Sequence, residues 1–119
     1  RRDEAIRCYE RAESNNDREG IAAQELARLY RETGQDANAA TWYACTLRRR
    51  EALQLPDSPE VVEALKFLAD DCKRRNDLDR AQEYAIRLLD CGGAQDVEEA
   101  KALLREIRSL LQHRGGQPR

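Results

Sequence analysis

Methionine is absent from these 119 residues, and phenylalanine, tryptophan and histidine occur once each. A single histidine, His113, with no nucleophile pattern beside it, leaves no general-base or metal-ligand set. No glycine-rich phosphate loop is present among the six glycines, and the carboxylates are spread along what reads as solvated helix faces. The four cysteines, Cys8, Cys45, Cys72 and Cys91, are far apart with no C-x-x-C pair, so they read as small thiols of a reducing compartment rather than disulfides or zinc ligands. No apolar run approaches the ~20 residues that cross a bilayer, and no signal or transit pattern opens the chain. Neither charge sign dominates: 21 basic residues against 23 acidic ones give a net charge of −2, which argues against a nucleic-acid surface and an anionic-membrane binder. The reading is a soluble, intracellular, non-enzymatic protein with no cofactor and no metal. Because the opening "RRDEAIRCYERA" already carries a helical pattern and no methionine precedes it, the sequence is expected to be an excised piece of a longer protein.

A chain of this size forms one domain and buries roughly 65% of its extended surface on folding. What fills it is a repeat. Ala5, Tyr9 and Ala12 return 34 residues later as Ala39, Tyr43 and Thr46, and ~34 residues is the period of the tetratricopeptide helix-turn-helix. Leu26, Ala27, Tyr30, Gly34 and Ala39 return 42 residues later as Leu68, Ala69, Cys72, Asn76 and Ala81, one period plus an eight-residue insertion near "EALQLPDSPE". Alanines at these spacings let two helix backbones approach, and Tyr30 and Tyr43 fill wider gaps. Each such hairpin buries its apolar stripe only by sharing it with the next.

Local signals predict six helices, over about 3–14, 17–33, 36–54, 59–75, 78–91 and 96–113. Asn16 with Glu19, and Asp96 with Glu99, read as capping boxes, and Ser58 caps a helix with Pro59 in its first turn. Gly34 ends one helix, and Gly92 with Gly93 ends another. The sixth helix carries the stripe Ala100, Leu103, Leu104, Ile107, Leu110 and Leu111, which matches neither half of the repeat and reads as a cover for the last hairpin. The predicted fold is all-α, a right-handed superhelix of tetratricopeptide hairpins with a terminal capping helix. Its parts are a partial repeat 1–16, a repeat 17–54, a linker 55–58, a repeat 59–91, the capping helix 96–113 and a disordered tail 114–119.

On the first helix of each hairpin, Gln24, Arg28 and Arg31 form an i, i+4, i+7 stripe that the 42-residue offset maps onto Lys66, Asp70 and Lys73. Two readings fit these six residues: a groove wall that holds a partner peptide, and an ordinary charged helix face. They do not reproduce the lysine-and-asparagine clamp that co-chaperone repeats use for a terminal carboxylate. The run Arg48, Arg49, Arg50 beside Glu51 reads as a solvated face rather than a nucleic-acid patch.

The longer strings "AIRCYERA", "NDREGIA" and "AKALLREIR" are similar to the carboxy-terminal repeats of the eighth-subunit, or cell-division-cycle twenty-three, family of the anaphase-promoting complex. The resemblance runs from about Asp3 to Arg108. It implies a non-catalytic scaffold in a multisubunit ubiquitin ligase of the cell cycle, found in nucleus and cytoplasm, whose partners are other subunits and the activator that brings substrates. It also implies homodimerisation through amino-terminal repeats that are not in this sequence, so the piece itself is expected to be a monomer. The alternative is a peptide-binding adaptor of the kinesin-light-chain or co-chaperone type. Kinesin-light-chain arrays share the 42-residue period and a "DSPEV"-like turn, but not the closing string or the 34-residue first interval.

Overall fold

A computed structural model of the chain describes residues 2–14, 17–54 and 58–116. Among them lie six helices and no strand: α1 (Arg2–Ser14), α2 (Ile21–Glu32), α3 (Asp36–Ala52), α4 (Pro59–Arg74), α5 (Leu78–Cys91) and α6 (Ala94–Gly116). The residues form two compact units, 1–64 and 65–119.

In the first unit α2 packs against both α1 and α3. Ala23, Leu26, Ala27, Ala39 and Tyr43 have no exposed surface, so the alanines predicted to let helices approach do sit where α2 and α3 meet. The start of α2 differs from expectation. The helix begins at Ile21, four residues after the expected position, and Glu19 is exposed and precedes it. Asn16 lies outside the described residues. The capping carboxylate belongs to Asp17, whose two oxygens accept from the amides of Ala22 and Ala23 at 3.0 and 2.9 Å. A tight turn makes that reach possible: Gly20 has φ +76°, and a Cβ there would stand 3.1 Å from the Thr46 Cα. The expected capping box fails because residues 17–20 lie against α3, through Asp17 on Arg49 and Gly20 on Thr46, before the helix starts.

The two hairpin turns are the same object. After α2, the Gly34 amide donates to the Arg31 carbonyl and the Gln35 amide to that of Tyr30, with Gly34 at φ +77°. After α4, the Asn76 amide donates to Lys73 and the Asp77 amide to Cys72, with Asn76 at φ +64°. This is a Schellman cap at both places, and it satisfies carbonyls that a helix end leaves open. The backbone then enters the next helix identically, at φ −94°, ψ 69° for Gln35 and φ −89°, ψ 73° for Asp77.

In the second unit the later part of α4, together with α5 and α6, encloses a cluster of Ala69, Cys72, Leu78, Ala81, Ala85, Leu104 and Ile107. Leu103 and Leu111 pack on its edge, and Ala100 is buried as well. Leu110, expected in the same stripe, is 44% exposed. It lies three residues beyond Ile107 and six beyond Leu104, which turns it past the edge of the buried face. The α6 cap is also shifted: the helix begins at Ala94, and Asp96 rather than Glu99 reaches back, its Oδ2 accepting from the Gly93 amide at 3.2 Å. The helix continues through Gly116, past the expected end at 113. Of the expected disordered tail, residues 117–119 lie outside the described residues, as do residues 55–57 of the expected linker. Ser58 does cap α4, accepting from the Val61 amide at 3.4 Å.

Candidate functional site

Helix α2 carries three of the six expected residues, and each has a different setting. Arg28 is held by two carboxylates. Its Nε and Nη2 donate to Oε2 and Oε1 of Glu63 at 2.9 and 2.6 Å, and its Nη1 donates to Glu25 at 2.9 Å. Such a forked pair fixes direction as well as charge. The hydrogen bond to Glu63 raises the Arg28 proton affinity above its ordinary value, against an opposing effect of burial. Arg31 is exposed, with its guanidinium 5.8 Å from the centre of the Tyr43 ring. Gln24 is the exception: it is 3% exposed, and neither atom of its side-chain amide has a hydrogen-bond partner.

Glu63 joins three helices' worth of side chains. The fully buried Tyr43 donates its hydroxyl to Glu63 Oε2 at 2.8 Å, beside the Arg28 pair. Burial alone would raise the carboxyl's proton affinity, but the hydrogen bonds from Arg28 and Tyr43 outweigh it and hold the group below its ordinary value. Burial first, and the bond to Glu63 second, push the Tyr43 hydroxyl well above the usual phenol range. Glu63 was not among the predicted site residues. It lies three residues before Lys66 on the same face of α4, so extending the Lys66–Asp70 stripe one turn back would have reached it.

The other three expected residues, Lys66, Asp70 and Lys73, lie on the part of α4 that belongs to the second unit. Lys66 donates to Asp96 at 3.0 Å and pairs with Glu99 at 3.1 Å, both on α6. Those two hydrogen bonds raise the lysine's proton affinity and lower that of both carboxyls. Lys73 pairs with Glu106, also on α6, and Asp70 is exposed. The two lysines therefore tie α4 to α6, leaving Asp70 as the groove residue that faces solvent there.

The arginine run is not one solvated face. Arg48 is exposed, but Arg49 donates to Asp17 at 2.8 Å and so secures the α2 cap. The Arg50 side chain is only 12% exposed, with Glu60 at 3.9 Å and its own Nε buried without a partner. Arg50, Gln24, Ile21, Glu25, Arg28 and Glu60 line a cavity of about 80 Å³. The sequence held no signal for it, because the 42-residue offset compares α2 with α4 and the cavity draws on α3 as well. Cys8 is exposed, Cys45 and Cys72 are buried and Cys91 is half-buried, all as free thiols.

Two subunits of known name are similar to this chain. "Anaphase-promoting complex subunit 8" of Dictyostelium discoideum is 44% identical over 106 residues, and the protein of the same name in Arabidopsis thaliana is 42% identical over 106 residues. Both matches take in 89% of this chain, which spans only 17% and 18% of the length of those relatives. No solved structure matches. The tetratricopeptide repeat family matches residues 18–94, the stretch that holds both Schellman turns and the paired alanines. With that match, the repeated spacing and the repeated turn geometry agreeing, the chain belongs to the tetratricopeptide repeat family.

Proposed function

We propose that this chain is a non-catalytic scaffold segment of the eighth subunit of an anaphase-promoting complex. The observation that supports this most is the 42–44% identity over 106 residues, 89% of this chain, to two proteins of that name. The chain's role is to hold other subunits of that ligase, with the activator as a further partner, while ubiquitin transfer belongs elsewhere in the complex. The two buried thiols suit that division: burial raises the Cys72 thiol's proton affinity, the reverse of what a thioester-forming cysteine needs. Nuclear and cytoplasmic residence, and dimerisation through other parts of the subunit, belong to the same proposal.

The groove reading is narrowed. Arg28, Lys66 and Lys73 already have carboxylate partners, so a strongly acidic peptide would have to displace Glu63, Asp96 and Glu106. Of the six expected residues, Gln24, Arg31 and Asp70 are the ones we propose for partner contact. Affinity purification of the full-length protein tests the assignment. Recovery of the other anaphase-promoting complex subunits is expected, and recovery of a kinesin motor or a chaperone in their place would establish the adaptor alternative.

A further inference from the structure

We infer that the cavity between α2, α3 and the start of α4 is the seat for one uncharged amide group of a partner protein. The inference rests on the reading of this chain as a protein-binding scaffold. A buried side-chain amide with both atoms unpaired is rare in folded proteins, because each lost hydrogen bond with water goes uncompensated. Gln24 is such a group, and the Nε of Arg50, which lines the same cavity, is a second one.

The unmet hydrogen bonds define the ligand. Gln24 offers two N–H donors and one carbonyl acceptor, and Arg50 Nε offers one more donor. The lining charges cancel, with Arg28 and Arg50 against Glu25 and Glu60. Arg28 is already committed through Nε, Nη1 and Nη2 to Glu63 and Glu25. A carboxylate would satisfy the donors but meet the Gln24 carbonyl, Glu25 and Glu60 with like polarity. An ammonium group would satisfy the carbonyl, leave the N–H donors unmet and face two guanidinium groups. An amide brings a carbonyl and an N–H together, and so answers both sides of Gln24. The volume of about 80 Å³ accommodates a group of that size, and binding requires the buried Gln24 amide to turn toward it. Ile21, 56% exposed at the rim, gives an aliphatic neighbour of the amide a surface to rest on.

The amide has two possible sources, a peptide unit of an extended segment or an Asn or Gln side chain, and small probes separate them. The whole 119-residue chain, labelled for detection of Gln side-chain NH₂ and Arg Nε–H resonances, is titrated in parallel with N-methylacetamide, acetamide, acetate and methylammonium. The expected result is saturable movement of the Gln24 and Arg50 signals with an amide at a Kd on the order of 10 mM, as befits so few ligand atoms. N-methylacetamide acting more strongly identifies a peptide unit, and acetamide acting more strongly identifies a side-chain amide. Gln24→Leu and Gln24→Met, each checked for an unchanged helical spectrum, should abolish the Arg50 response. Acetate or methylammonium binding as well as the amides, or no movement with any probe at ~100 mM, overturns the inference and leaves a cavity for water, which has a share of roughly 30 Å³ per molecule. The titration involves no other subunit, so its failure is distinct from a failure to co-purify with the complex.

Discussion

Glu63 ties side chains of α2 and α3 to α4 in the first unit. It accepts from Arg28 twice and from the Tyr43 hydroxyl, which has no exposed surface. Replacing it with Ala leaves a buried hydroxyl and a guanidinium fork without an acceptor, at an expected cost of roughly 2–3 kcal/mol, since an orphaned buried group costs ~1–3 kcal/mol. Tyr43→Phe removes the hydroxyl but keeps the ring and the Arg28 pair, and is expected to cost only about 1 kcal/mol. Urea denaturation of both variants checks the order; equal losses would mean that the Tyr43 bond holds all of the effect. The same group sets a pH dependence. Glu63, Asp96 and Glu99 are held below their ordinary values of 4.5, 3.8 and 4.5, so their contribution is complete above those values and is lost as pH falls through the lower folded ones. Lys66, raised above 10.5, contributes fully below that value and loses its contribution as pH rises through the folded one. The melting temperature should therefore fall below about pH 4.5, and Glu63→Gln, which keeps an acceptor for Tyr43 but cannot titrate, should make that fall shallower. A melting profile of equal steepness in the two proteins would remove Glu63 from the account.

At the scale of the element, the turns and the starts of α3, α4 and α5 were legible, and the caps of α2 and α6 were not. Gly34 and Asn76 stand 42 residues apart, and both adopt the left-handed conformation that a Schellman cap requires. A turn like this is encoded by one or two residues at a fixed offset, so it can be read from the chain. The cap of α2 instead depends on Asp17, which is held by Arg49 of α3 at a separation of 32 residues, and no local pattern contains that partner. The α6 cap was misplaced by three residues: Asp96 reaches back to the Gly93 amide, and both Asp96 and Glu99 pair with Lys66 on α4, a partner that no local pattern contains. Gly34 allows a clean test of the turn, since a Cβ placed there meets nothing within 4 Å. Any penalty of Gly34→Ala is then conformational, expected at about 1 kcal/mol for a left-handed residue with a Cβ. Gly34→Asn should cost less, because Asn76 already serves at the equivalent place. Thermal melting of the two variants decides it, and an Ala variant as stable as the parent would show that the turn relaxes to another shape.

Across the whole chain the repeat was legible because its period is set by buried small residues, and Ala27, Ala39, Ala69 and Ala81 all have no exposed surface. The ion pairs between helices, such as Arg28–Glu63 and Lys66–Asp96, were not, since they depend on a register that the period alone does not give. The closing helix shows both sides. Its apolar stripe was correctly assigned to the last hairpin for Ala100, Leu104 and Ile107, and incorrectly for Leu110. That difference makes a graded test. Ile107→Ala opens a hole in a fully buried site and should cost roughly 2–5 kcal/mol, whereas Leu110→Ala should stay within about 0.5 kcal/mol of the parent. Ending the chain at Gly93 takes away Leu104 and Ile107 together and uncovers Ala69, Cys72, Leu78, Ala81 and Ala85. Each buried Leu or Ile is worth roughly 1.5–3 kcal/mol, a large share of the ~5–15 kcal/mol that holds a domain folded. The truncated chain should therefore aggregate or melt far below the parent when followed by circular dichroism. A soluble truncated chain with an unchanged melting temperature would mean that α4 and α5 close their own core, and that Lys66 and Lys73 hold α6 only as an appendage.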